Sequence, residues 1–312
     1  MTKPSIAFAL RLKPAEALKY FKAKGLKITK SWQELWQAAH AKAFTVAHCA
    51  KLDVLKDLHK GLTDVLDEGL SAREFIKRLT PLLQSKGWWG KAIDKQTGEV
   101  LEAYDDTGRP VQYGSPARLA LIYRQNTQVA YMAGRYKAMQ EGAWATPCWQ
   151  YVAVMDQVTR PTHAAMNGRV FRHDDKIWDT LFPPNDWGCR CRVTPRSERK
   201  VQDLGLVVES SGGQLVTRTV PAGKDTQGNP LTTEVTGVRT RELDKEGKPL
   251  IMLPSAGWSY NPAKAATDHL AQTLTNKFKA LESAIPPKEL EALRLIGQQA
   301  LDELLGKGKQ TL

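Results

Sequence analysis

Through the first 85 residues, apolar positions recur at helical spacing, and the breaks between them carry capping residues. Pro14 stands where a first-turn proline belongs, Leu18 and Phe21 supply the apolar spacing, and Gly25 marks a stop. Ser31-Trp32-Gln33-Glu34 reads as a capping box, with Trp32, Leu35, Trp36 and Ala39 forming the face of the helix it opens. Leu52, Leu55, Leu58, Leu62, Val65 and Leu66 define a third helix ending at Gly69. A second capping box, Ser71 to Glu74, opens a fourth that carries Phe75, Ile76 and Leu79. Short amphipathic helices cannot hide their stripes alone, so these pack on one another or on a partner.

From 86 to 114 the helical period stops, and the turn signals DKQTGEV and DDTGRPV predict a hairpin excursion. A long helix follows, with Ser115 as N-cap, Pro116 at its first position and Gly142 at its end. Its stripe is Leu119, Ile122, Tyr123, Asn126, Ala130 and Ala133; Asn126 is expected to face the core and hold neighbouring backbone. Beyond Cys148 the pattern turns to strand, with Trp149, Tyr151, Val152 and Val154 suited to a pleated surface. Asn167-Gly168 is a tight-turn pair leading into Arg169-Val170-Phe171. Cys189, Cys191 and Val193 alternate with Arg190, Arg192 and Thr194, so a strand here places both sulfurs on one face and both guanidiniums on the other.

Residues 200–255 lack helical period but repeat one frame. Asp225-x-x-Gly228-x-Pro230-Leu231 matches Asp244-x-x-Gly247-x-Pro249-Leu250, and Asp105-x-x-Gly108-x-Pro110-Val111 fits as well. In each, Asp opens a turn, Gly takes positive φ and Pro starts an extended segment, which predicts one turn chemistry used three times. Residues 262–305 return to helix, broken at Pro286-Pro287 and finished by Gly306. The expected fold class is α+β: an N-terminal helical region, a long central helix and a small antiparallel β-sheet module, with a β-rich stretch and C-terminal helices. The expected divisions are 1–85, 86–200, 201–260 and 261–312.

Charge adds a partner class to this picture. The chain holds 45 Lys and Arg against 33 Asp and Glu, a net charge of +12, which favours nucleic acid or an acidic protein surface. No apolar run approaches the roughly 18 residues that cross a bilayer, and the N-terminus lacks a signal-peptide pattern, so no membrane partner and no secretion are expected. Four cysteines are too few for a disulfide scaffold of this length and suit a reducing compartment.

The stretch from Asp156 through Arg160-Pro161-Thr162-His163, Asn167-Gly168, Trp178 and Pro183-Pro184 to Gly188-Cys189-Arg190-Cys191 resembles the phage Mu F-like head morphogenesis family. Ala43–Ala47, Gly87-Trp88-Trp89-Gly90, Asn126, Tyr131, Gly134-Arg135 and the downstream Gly257–Pro262 element are similar to that family too, so the likeness runs over about residues 14–262. The resemblance implies a minor head (capsid) protein of a tailed phage virion, present in few copies in the capsid interior at the portal, after assembly in the host cytoplasm. Its implied partners are the portal protein and the major capsid or scaffold protein, with viral DNA a further candidate. It implies a structural role in head assembly, DNA packaging or ejection, without turnover.

Two clusters carry candidate chemistry. His163, His173, Cys189 and Cys191 offer imidazole and thiolate, the ligands of zinc, although Cys-x-Cys departs from the usual Cys-x2-Cys knuckle. The competing expectation is a metal-free sulfur pair under a hairpin, with His163 bonded to the proline-pair loop. Arg190, Arg192, Arg196, Arg199 and Lys200 form a basic strip, the last three continuing into a loop, that suits phosphate or an acidic portal surface. Asp156 and Arg160 bracket one turn, which Arg190 and Arg192 could join, and an Asp–Arg pair is expected to fix the loop geometry. The alternative function is a metal-dependent nuclease or other DNA-binding enzyme, on the strength of His163-x3-Asn167.

Overall fold

The computed structural model describes residues 15–282 except 31, 36–37, 104–107 and 225–227, together with scattered positions between 291 and 302. Pro14, Ser31, Trp36, Asp105, Asp225, Pro286-Pro287 and Gly306 lie outside the described residues. The fold is mixed α+β, as the pattern predicts.

Helix α1 (Ala15–Lys22) is followed by the two-residue strand β1 (Gly25–Leu26), which pairs in parallel with β2 (Ala43–Phe44). Between them the expected second helix is reduced to a 3-10 turn at Trp32–Glu34 and a single turn, α2 (Ala39–Lys42). Two contacts account for this. Glu34 accepts the Lys30 amide at 2.9 Å, so the cap closes a turn beginning one residue earlier, and the chain is then drawn into the β1–β2 pairing.

Helices α3 (Leu52–Glu68) and α4 (Ala72–Ser85) follow the predicted bounds. Val54 joins the buried stripe of α3 while Leu52 stays exposed. The α4 cap is the full reciprocal box: the Ser71 hydroxyl accepts the Glu74 amide at 3.3 Å and the Glu74 carboxylate accepts the Ser71 amide at 2.8 Å. After α4 the chain runs out and back, with bridges from Lys91 to Gln112 and from Ile93 to Val100.

Helix α5 (Pro116–Glu141) is the spine. Its N-terminal part and middle close a helical core through Leu119, Ile122, Tyr123 and Ala130, against Leu58, Leu62 and Phe75. Its second half supplies Met132 and Met139 to a separate core under the sheet. Asn126 is half-buried and donates to the Ile122 carbonyl, while the neighbouring Gln125 is the buried amide.

The central sheet runs, in spatial order, β5 (Arg192–Arg196), β3 (Cys148–Val152), β4 (Val170–Arg172), β6 (Val208–Glu209). β3 pairs antiparallel with β4 and with β5, while β6 runs parallel to β4. Trp149, Phe171, Trp178 and Phe182 fill its inner face, with Trp178 edge-on to both phenylalanines. Short helices α6 (Pro161–Ala164) and α7 (Ile177–Thr180) span the connections, and Pro183-Pro184 is joined by a cis peptide.

Two corrections fall at the end of this sheet. β5 begins at Arg192, so Cys189 and Cys191 sit on the loop entering it; the alternation persists, with both cysteines buried, Arg192 exposed and Arg190 half-buried. The pairing partner explains the start: Val152 at the end of β3 lies opposite Arg192, leaving earlier residues no ladder to join. Arg199 and Lys200 lie on helix α8 (Glu198–Asp203), capped by the Ser197 hydroxyl at 3.2 Å from the Lys200 amide, and not in a loop.

The β-rich stretch is a meander of β7 (Leu215–Lys224), β8 (Pro230–Leu243) and β9 (Pro249–Met252). Where it is described, the repeated frame has its expected Gly and Pro geometry, and at Asp244 the expected Asp turn as well. Gly108, Gly228 and Gly247 take φ of 72°, 87° and 75°, and Pro230 and Pro249 open β8 and β9. Asp244 Oδ1 accepts the amides of Glu246 and Lys248, both at 2.9 Å. Helix α9 (Pro262–Glu282) starts at Asn261, whose Oδ1 caps Ala263 and whose Nδ2 donates to the Trp178 carbonyl at 2.9 Å. No helix among the described residues is long and apolar enough to cross a membrane.

Candidate functional site

The sheet end formed by the tail of β3, helix α6 and the loop before β5 gathers most of the residues singled out by sequence. Pro161 starts α6 at its first position, and the single turn carries His163 inward, where it is 3% exposed. Its Nδ1 lies 3.7 Å from Cys189 Sγ and 3.6 Å from Cys191 Sγ. The expected bond from His163 to the proline-pair loop gives way to this imidazole–sulfur contact. His173 belongs elsewhere: its amide donates to the Pro147 carbonyl at the opposite end of β3, and its ring lies against Trp149.

The electrostatics of the cluster are those of two thiols sharing one cage. A hydrogen bond from Cys191, with further ones from His163 and the Asn185 amide, holds the Cys189 thiol well below its ordinary value. The neighbouring Cys189 sulfur, together with burial, pushes the Cys191 thiol up. Burial drives the Tyr151 phenol well above the ordinary value, and the neighbouring Cys191 and Cys189 sulfurs add to the shift. None of the four cysteines is in a disulfide.

The turn bracketed by Asp156 and Arg160 is not closed by that pair. Asp156 instead binds Arg190, and Arg160 reaches Asp186 at 3.0 Å and the Trp187 carbonyl at 3.0 Å. The two ion pairs therefore join the 156–160 turn to the loop that carries Gly188 and both cysteines. Arg196 is engaged as well, donating to Gln150 Oε1 at 2.9 and 3.1 Å. Arg192, Arg199 and Lys200 are exposed. Asn167 Oδ1 accepts the Ala153 amide at 3.0 Å, and Gly168 at φ 85° closes the turn into β4.

Sequence reasoning missed the side chains that hold this loop from behind. On α5, Gln125 Oε1 accepts the Gly188 amide at 2.8 Å, Gln128 donates to the Cys191 carbonyl at 3.1 Å and Arg135 donates to the Val193 carbonyl at 2.8 Å. Their spacing along one helix was the available signal, masked by the ordinary look of glutamine on a surface helix. Also missed was Arg169, 4% exposed, which binds Glu209, Gln214 and the Arg239 carbonyl and so ties the sheet to the meander.

Comparison with known proteins bears on the same stretch. Residues 56–194 match the family described as phage Mu protein F like protein, a span that takes in α5 and the whole His163–Cys189–Cys191 cluster. The chain is 44% identical over 263 residues to the protein named capsid assembly protein F of Escherichia phage Mu, covering 84% of this chain and 56% of that one. It is 42% identical over 243 residues to the Mu-like prophage FluMu F protein of Haemophilus influenzae, covering 77% of this chain and 54% of that protein. The chain thus spans about half the length of these curated relatives. No solved structure matches it. With the family span taking in the helix and loop that build the site, and with both relatives extending the likeness over most of the sequence, the chain belongs to the phage Mu F-like protein family.

Proposed function

We propose that the protein is a structural minor head protein of a tailed bacteriophage. It acts in capsid assembly at the portal, in contact with the portal protein and the major capsid or scaffold protein, and it serves DNA packaging or ejection. The observation that carries this reading is the 44% identity, over 84% of the chain, to a protein named for capsid assembly. The site agrees with a structural role. Its imidazole and sulfurs are sealed at 3–5% exposure, out of reach of a substrate phosphate. Asn167, the second residue of the nuclease-like pair, is engaged by the Ala153 amide.

A deletion of the gene in a phage that carries it, complemented from a plasmid, tests the proposal. Defective heads restored by complementation are expected. Normal, infectious heads from the deletion overturn it. Cross-linking in purified heads then tests the portal position, where capture of the portal protein is expected. The nuclease alternative predicts DNA cleavage that a chelator abolishes.

A further inference from the structure

We propose that His163, Cys189 and Cys191 are three ligands of a zinc-class divalent ion that locks the 156–164 segment to the loop entering β5. This inference is independent of the head-assembly reading.

The argument is geometric. The three ligand atoms lie within 4.8 Å of one another, and all three residues are buried. A tetrahedral zinc with Zn–S about 2.3 Å and Zn–N about 2.0 Å holds nitrogen and sulfur about 3.5 Å apart. The observed separations are 3.7 and 3.6 Å. Hydrogen bonding alone explains them poorly. A neutral Nδ1 either donates one proton or accepts one, so it serves one sulfur, yet both sulfurs converge on it at nearly equal distance. A cation at the centre satisfies all three at once.

Oxygen donors are at hand for the fourth position. Tyr151 Oη accepts from Asn185 Nδ2 at 3.1 Å. Asn185 is fully buried, and its Oδ1 has no partner among the described residues. A buried acceptor left in that state is costly, and a metal-bound water would relieve it. The absence of any carboxylate from the trio, and its two thiolates, favour zinc over magnesium or calcium. Binding releases the remaining thiol protons to solvent, so affinity falls as pH falls. The sealed surroundings make the ion a structural cross-link.

The test uses the full chain, purified without chelator. Elemental analysis is expected to find zinc at near-stoichiometric level. Replacement by cobalt(II) is expected to give thiolate-to-cobalt charge-transfer absorption that weakens in Cys189→Ser or Cys191→Ser and vanishes in the double variant. His163→Gln shifts the cobalt spectrum. Because these variants risk poor folding, the wild-type chain is also melted with and without a strong chelator; a lower midpoint with chelator, restored by added zinc, is expected. Wild-type protein that takes up no zinc on dialysis against it, or a double cysteine variant that binds zinc as well as wild type, overturns the proposal.

Discussion

Arg190 grips Asp156 with both prongs, Nη1 to Oδ2 and Nη2 to Oδ1, each at 2.7 Å. Asp156 is also the opening residue of its own turn, accepting the Val158 amide at 3.2 Å and the Thr159 hydroxyl at 3.0 Å. One carboxylate therefore shapes the turn before α6 and fastens it to the residue between the two cysteines. The guanidinium, with help from Thr159, holds the Asp156 carboxyl well below the usual carboxylate range.

A depressed folded-state value means this contribution is complete above the unfolded value near 4 and fades progressively as pH falls from there toward the lower folded one. Asp156→Asn should therefore destabilise the protein at neutral pH, and the difference from wild type should shrink on acidification below that range. Urea melts of both proteins from pH 7 to pH 2.5 measure it. A difference that stays constant across the series would contradict the ion-pair account. Because both groups are partly exposed, added salt should also reduce the difference.

How far this could be read in advance depended on range. The Ser71–Glu74 cap and the Asp244–Gly247–Pro249 turn are decided within a few residues, so spacing alone exposed them. Ser31 to Glu34 has the same letters as a capping box, but tertiary pairing of β1 with β2 takes the following chain away. Likewise, the alternation of Cys189, Arg190 and Cys191 announced which side chains are buried; the strand's starting point was set by where β3 ends, which no local pattern contains. Asp156 finding Arg190 in place of Arg160 is a choice between two cations that only the three-dimensional path can make.

The pair Arg169–Glu209 was illegible for a further reason: 40 residues separate the partners, and a charged residue beside a turn reads as surface. In the fold Arg169 and Glu209 have side chains only 3% and 10% exposed, with 2.7 Å between Nη2 and Oε2. Glu209→Gln leaves the guanidinium buried with its counter-charge removed and should cost about 3–5 kcal/mol. Arg169→Met paired with Glu209→Gln should cost less than the sum of the two single changes, since neither leaves an orphaned charge in the double variant. Denaturant melts of the four proteins give the coupling, and strict additivity would count against it.

Gly134 records how closely α1 lies on α5. A Cβ there would stand 2.6 Å from the Ala17 nitrogen and 3.0 Å from the Glu16 carbonyl carbon, both backbone atoms that cannot swing aside. Gly134→Ala raises helix propensity in α5 by up to ~1 kcal/mol, but the clash forces α1 outward, so a net loss of about 1–3 kcal/mol is expected. Hydrogen exchange should show amides of residues 15–22 losing protection while those of α3 keep theirs. Unchanged protection across 15–22 would mean that the contact is softer than its geometry.

The proposed partner surface makes its own prediction, and the structure narrows it. Of the five basic residues, Arg190 is bound to Asp156 and Arg196 to Gln150, whereas Arg192, Arg199 and Lys200 are exposed. The free energy for gripping phosphate or an acidic portal surface should come from the last three, since the first two must break existing bonds to contribute. Each phosphate contact removed lowers the slope of log affinity against log salt by roughly 0.9 on duplex DNA. Single Arg192→Ala, Arg199→Ala and Lys200→Ala variants should therefore each weaken binding to any duplex sequence and flatten that slope by about one unit. Arg196→Ala should leave the slope unchanged, and Arg190→Ala should act through the Asp156 turn and show itself first in stability. Fluorescence anisotropy with an arbitrary duplex, and in parallel with the purified portal protein, across a salt series separates the two partners. Loss confined to the portal identifies an acidic protein surface; loss confined to DNA identifies phosphate; binding indifferent to all three exposed residues removes this face as the contact.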